Sequence, residues 1–198
     1  MDKIISLDYF ITNLLGKLIP HNIFLAYFFS FFSLKGSSIL VWVLVVILVL
    51  ILEERKNPGV SKRDKKFIIL FLVSFLLTFF FTDVVLKNIF HRPRPISKIP
   101  NFKFQISNCP KDFSFPSGHA ATGFAAACVL SFFDKKRRWF YYTVAILISY
   151  SRIYLGCHYF LDVISGALIG YLISRLLLFF LDTSPFRRRS WWNRFQSE

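Results

Sequence analysis

Three short stretches of this 198-residue chain combine lysine, arginine, histidine and carboxylate side chains at spacings suited to handling a phosphate. Lys87 precedes Arg94 and Pro95, Pro116-Ser117-Gly118-His119 forms a second group, and Ser151-Arg152 is followed by His158 and Asp162. His158 and Asp162 are four apart, so on a helix they share a face, and the carboxylate can hold one imidazole nitrogen while the other keeps its lone pair for attack. A self-satisfied polar pair is the alternative, and it is the weaker one at the mouth of a membrane span beside Arg152. Pro116 reads as the first position of a helix, whose exposed N–H groups and partial positive charge, with the Ser117 hydroxyl, can bind an anion without a metal; a plain helix cap fits the same residues. Lys87, Arg94 and Arg152 supply three positive charges for a phosphoryl group whose transition state spreads charge over three equatorial oxygens, and one such donor is worth on the order of 3 kcal/mol of barrier. Snorkelling at the interface explains Arg175 better than these three. His119 has no acidic partner nearby in sequence, which suits a general acid that protonates a leaving oxygen.

The elements that must position these groups are membrane helices. The chain is 55% apolar with 26 Phe, too greasy for an ordinary soluble fold. Apolar runs near the length that crosses a bilayer fall at 36–52, 67–90, 116–133, 139–155 and 158–181. Ahead of them, Ile4 to Leu34 is apolar but broken by Asp8, Asn13, Lys17, Pro20, His21 and Asn22, which fits either interfacial helices or a sixth, irregular span. The expected fold is thus all-α, a polytopic membrane bundle of five or six spans. The expected parts are an interfacial segment at 1–35, a catalytic membrane domain at 36–182 and a basic cytoplasmic tail at 183–198.

A formal charge of +14 would suit a nucleic-acid binder, but not one with several long apolar runs, so anionic headgroups and phosphate are the expected partners rather than nucleic acid. Basic segments at 53–66, at 134–138 and in the tail, with Arg187, Arg188, Arg189 and Arg194, point to the cytoplasm. The 91–115 loop and the 156–157 turn then lie together on the outer side. That loop carries His91, Arg92, Arg94, Lys98, Lys103 and Lys111 against the usual bias, a sign of function; a plain solvated loop accounts for Lys98 and Lys103 but less well for Arg92 and Arg94, each followed by a proline. Trp191 and Trp192 suit an interface anchor or a plain tail. The three cysteines lack metal-ligand spacing and read mostly as packing residues, with a Cys109–Cys157 bridge open because both fall on the outer side. The N-terminus lacks the pattern of a cleaved signal peptide. No HExxH, DxD or carboxylate cluster marks a metal site, so no cofactor is expected and the chemistry should survive a chelator.

Together, Lys87 to Arg94-Pro95, Pro116-Ser117-Gly118-His119 and Ser151-Arg152 to His158 to Asp162 resemble the three-part signature K-x6-RP, PSGH and SR-x5-H-x3-D of the type 2 phosphatidic acid phosphatase (PAP2) superfamily. The resemblance implies a helical membrane phosphatase in a bacterial inner membrane with its site at the outer leaflet. It implies a phosphohistidine on His158, His119 as acid, Asp162 as orienter, and Lys87, Arg94, Ser117, Gly118 and Arg152 as phosphate ligands. Substrates in the family include undecaprenyl diphosphate, phosphatidylglycerophosphate, phosphatidic acid and lipid A phosphate. Arg92, Lys111 and His91 would suit a diphosphate headgroup. Transfer of the phosphate to a second lipid, or non-catalytic carriage of a lipid or anion, would use the same pocket; vanadium haloperoxidases resemble it too, but are soluble. The oligomeric state is left open.

Overall fold

A computed structural model describes residues 2–33, 37–54, 62–95 and 109–181. Lys98, Lys103 and the 183–198 tail lie outside them, as do residues 55–61 of the basic 53–66 segment. The described residues are helical and contain no strand. The two N-terminal helices are α1 (Asp2–Lys17) and α2 (Ile23–Ser33); α3 (Ser37–Glu54), α6 (Gly118–Phe133), α7 (Arg138–Tyr154) and α8 (Phe160–Leu181) each match an expected span. The remaining span is composite: α4 (Lys62–Phe79) widens into a π-helical segment, Phe80–Leu86, before closing as α5 (Lys87–Phe90). The stretches 64–90 and 160–181 have the length and apolarity to cross a bilayer.

The surface of the bundle supports a bilayer as its solvent. Leu72, Leu76, Phe79, Phe80, Leu168, Leu172, Phe179 and Phe180 all face outward. Apolar exposure along whole helix faces is costly in water and neutral in lipid. Burial is concentrated instead on α6, where Gly118, Ala120, Ala121, Gly123, Ala125, Ala126 and Ala127 are all enclosed. Without a hydrophobic drive between helices, small residues permit close backbone approach, and α6 accordingly lies at the centre against α8, α7 and α4. At Gly166 a Cβ would overlap the Ser117 carbonyl, and at Gly170 it would overlap that of Ala121, so glycine sets the α6–α8 spacing at both positions. The Ser74 and Ser174 hydroxyls bond across α4 and α8 at 2.6 Å, and Ser174 also donates to the Gly170 carbonyl at 2.8 Å.

Alternating helix directions put the C-termini of α5 and α7 and the N-termini of α6 and α8 at one end of the bundle. The 1–35 segment forms two helices broken at 18–22 rather than one long one. Helix α1 packs on α7 and α8 at that same end. His21 stacks on Tyr154 with ring centroids 4.3 Å apart, and Tyr154 donates to the Pro20 carbonyl at 3.1 Å, which anchors the break.

Candidate active site

The π-helical segment sets the first group. Such wide turns recur at functional sites, and this one delivers Asp83 and then Lys87, whose ammonium pairs with Asp83 one turn back and with Asp112 at 2.7 Å. His91, in the left-handed region at φ 48°, ends α5. The chain then turns inward so that Arg94 becomes buried. The Arg94 guanidinium donates to the Asp112 carboxylate at 2.5 Å, to the backbone carbonyls of Asp112, Phe113 and Cys157 at 2.9, 3.1 and 2.9 Å, and to His158 Nε2 at 2.9 Å.

That last contact defines the state of the imidazole. A guanidinium can only donate, so Nε2 of His158 accepts and carries the lone pair, and the ring proton belongs on Nδ1. Nδ1 in turn faces Asp162 Oδ2 at 3.5 Å. Asp162 is held in place by the Tyr159 N–H at 2.9 Å and by Arg92 at 2.6 Å. His158 and Asp162 are almost completely enclosed, at 1% and 0% exposure, so the pair is shielded from water.

The second group sits opposite. Ser117 is the residue before α6; its N–H donates to the Asp162 carbonyl at 2.9 Å, tying the start of α6 to the first turn of α8. A Cβ at Gly118 would meet the Asp83 carboxylate, so a side chain there would require Asp83 to move. Ser117 Oγ and His119 Nε2 are buried, and neither has a hydrogen-bond partner among the described residues. Buried polar atoms left this way normally await a partner, and both sit at the start of a helix, where exposed N–H groups favour an anion. Arg152, on the last turn of α7, is fully enclosed. His119 lies within electrostatic reach of Arg152, His158, Lys87 and Arg94, so all three sequence groups converge on one space.

Three acidic residues escaped the sequence reasoning as site components. Asp112, in the loop before α6, grips both Lys87 and Arg94. Burial works against its charge, but those two cations prevail and hold its carboxyl at about 2. Asp83 partners Lys87 and fills the space over Gly118. Asp8, noted in the sequence only as a break in an apolar run, accepts from Arg92 at 2.5 Å. Arg92 differs from its expected part at a diphosphate: both ends of its guanidinium are taken, by Asp8 and Asp162, and its Cζ lies 4.0 Å from the centroid of the Tyr159 ring. Burial opposes its charge, yet the two carboxylates more than offset this and raise its affinity for the proton. His91 and Lys111 are exposed beside the site, and His91 packs edge-on against Phe113 at 4.5 Å. The bridge left open in the sequence is formed: Cys109 and Cys157 are disulfide-bonded, fastening the loop that carries Asp112 to the residue before His158.

Cations, two histidines and a helix start gathered at one end of a bundle with an apolar outer surface fit the class of membrane lipid phosphatases. The family is the PAP2 superfamily, to which the chain belongs; that family model matches residues 67–185, more than half of its length. An undecaprenyl-diphosphatase of Sulfolobus acidocaldarius is 34% identical over 149 residues, covering 75% of this chain and 67% of that protein. Among solved structures, Aquifex aeolicus LpxE aligns at a TM-score of 0.62 with 29% identity, covering 87% of this chain and 94% of LpxE. A transmembrane PAP2-type phosphatidylglycerolphosphate phosphatase from Bacillus subtilis aligns at 0.61 with 25% identity, covering 94% and 90%.

Proposed function

We propose that this enzyme hydrolyses a lipid phosphomonoester or diphosphate by way of a phosphohistidine on His158. The observation that carries the reading is the imidazole with its Nε2 lone pair toward Arg94 at 2.9 Å and its Nδ1 3.5 Å from Asp162, an ion-pair contact longer than a hydrogen bond. The incoming phosphate takes over the Arg94 contact, with Lys87, Arg152, Ser117 Oγ and the N–H groups at Gly118 as its other donors. His158 Nε2 attacks phosphorus, the bond from phosphorus to the lipid oxygen breaks, and His119 delivers a proton to that oxygen. Water then attacks the phosphorus, the P–N bond breaks, and His119 takes up the proton released by the water. Asp162 stabilises the imidazole through both steps without being protonated.

The headgroup is drawn from the phosphates handled by the relatives: undecaprenyl diphosphate, phosphatidylglycerophosphate and lipid A phosphate, with phosphatidic acid beside them. The site end faces the outer side of a bacterial inner membrane in this reading. Two features support that side: a disulfide next to the nucleophile suits an oxidising compartment, and the basic 134–138 turn lies at the opposite end of α6. Residues 36–182 form the catalytic unit, with 1–35 docked on it and 183–198 as a cytoplasmic tail.

The test is phosphate release by the purified protein in detergent with EDTA, offering each of the four lipids, with His158→Ala alongside. Release that persists in the chelator and vanishes in the variant is expected. Release that needs a metal, or that survives in His158→Ala, overturns the reading; a second phosphorylated lipid in place of free phosphate makes the enzyme a transferase.

A further inference from the structure

Asp8 is a carboxylate halfway along the N-terminal helix α1, outside the part of the chain that the family model matches, and it is 1% exposed. Burying a charge there requires strong compensation. One oxygen accepts from the Leu161 N–H at 2.9 Å and the other from Arg92 at 2.5 Å. One turn further along α1, Thr12 Oγ1 accepts from the Phe160 N–H at 2.9 Å. Together Asp8 and Thr12 satisfy the opening N–H groups of α8, the helix that bears Asp162. A neutral acceptor would serve the Leu161 N–H as well; a buried anion aimed at Arg92 asks for another reason.

We propose that Asp8 is a positioning residue for the nucleophile, acting through the chain Asp8, Arg92, Asp162, His158. This rests on the assignment of His158 as nucleophile. Arg92 shares one guanidinium between two carboxylates, at 2.5 Å to Asp8 and 2.6 Å to Asp162. Asp8 draws off part of that positive charge, which leaves Asp162 anionic enough to hold the Nδ1 proton of His158. Without Asp8, Arg92 turns its whole charge on Asp162, and His158 sits in a field already made positive by Lys87, Arg94 and Arg152, with Asp83 and Asp112 paired to Lys87 and Arg94 and His119 facing from α6. The protonated imidazole is then disfavoured, and Asp162 orients the ring less firmly.

The experiment compares kcat/KM against pH for four proteins: wild type, Asp8→Asn, Asp8→Asn with Arg92→Gln, and Thr12→Val. An asparagine still accepts from the Leu161 N–H, so Asp8→Asn removes the charge and keeps the cap. Its acidic limb is expected to move down by about half a pH unit to one unit, with kcat lowered about tenfold or more. Adding Arg92→Gln restores the net charge around Asp162 and should return the limb toward the wild-type position, which a merely structural role would not do. Thr12→Val loosens the same helix junction without changing charge; it should lower Tm and leave the limb in place. If Asp8→Asn fails to fold, Arg92→Gln alone replaces it, and its limb must move upward. A limb unmoved in Asp8→Asn, or moved equally in Thr12→Val, overturns the proposal. His158→Ala separates this from failure of the parent reading: if that variant keeps its activity, the nucleophile assignment is at fault, whereas an inactive His158→Ala with an unshifted Asp8→Asn rejects only the part given to Asp8.

Discussion

The closeness of α6 and α8 is where folding and catalysis meet, and Gly166→Ala tests it. A Cβ at Gly166 would stand 3.2 Å from the Ser117 carbonyl carbon and 3.3 Å from its nitrogen, and would overlap its oxygen outright. Comfortable carbon contacts begin near 3.5 Å, so α8 or the start of α6 must yield by on the order of 1 Å. Nothing flexible can absorb this, because the obstacle is backbone and Ser117 is also tied to the Asp162 carbonyl at 2.9 Å. Overpacking of this kind costs about 1–3 kcal/mol of stability. A displacement of about 1 Å between Ser117 and the His158–Asp162 pair costs roughly a hundredfold in kcat. Gly170→Ala, where the Cβ would lie 2.7 Å from the Ala121 carbonyl carbon, should cost more stability. Gly123→Ala is the control: its nearest neighbours would be 3.8 Å away, an ordinary contact, so alanine is tolerated there. Phosphate release and thermal unfolding in detergent measure all three. Activity of Gly166→Ala within threefold of wild type, or an equal loss in Gly123→Ala, refutes the argument.

Asp112→Asn should tighten inhibition by inorganic phosphate about fivefold. The depression of its carboxyl from 3.8 to about 2 corresponds to about 1 kcal/mol once discounted for a side chain that is 44% exposed; weaker inhibition would mean that Asp112 stays in place when phosphate binds. Because that carboxyl is depressed, its contribution to folding is present above pH 4 and fades as pH falls toward 2, so the Tm gap between wild type and Asp112→Asn should close over that window. Arg94→Lys keeps the charge but not the fork that spans Asp112, the Cys157 carbonyl and His158; kcat should fall about a hundredfold or more, in a single-turnover assay. Reducing Cys109–Cys157, which closes a loop of 48 residues, should remove up to about 4 kcal/mol by the chain-entropy argument and lower both Tm and activity, and an unchanged Tm would show the bridge to be idle.

The sequence made much of this visible because its local rules are strong in a bilayer. Apolar runs located α3 to α8 within a few residues, and the Lys87, His119 and His158 groups met in space because alternating spans bring those ends together. What stayed hidden depends on pairings across long separations. Arg92 reaches Asp8, 84 positions away, and no spacing rule encodes that. Asp8 read as a flaw in an apolar run, although an ionisable residue there is itself a sign that a buried partner exists. Asp112 belongs to no motif, and only the fold brings it to Lys87 and Arg94. The π-helical segment was unreadable too, since its residues, Phe80 to Leu86, continue the apolar pattern of an unbroken helix.

The carboxylates change how the cationic pocket has to be understood. Read from sequence, Lys87, Arg94 and Arg152 form a bare positive site waiting for phosphate. In the folded chain the four basic residues Lys87, Arg92, Arg94 and Arg152 are set among four acids, Asp8, Asp83, Asp112 and Asp162. A site so balanced avoids the cost of enclosing like charges, but it cannot accept a phosphate carrying about two negative charges unless some internal anion gives way. Asp8 and Asp162 are fully enclosed and committed to Arg92, and Asp83 is packed over Gly118. Asp112 alone of the four is substantially exposed, and it holds both Lys87 and Arg94. If phosphate binds as proposed, Asp112 is therefore the group expected to yield, and the Cys109–Cys157 bridge limits how far its loop can move.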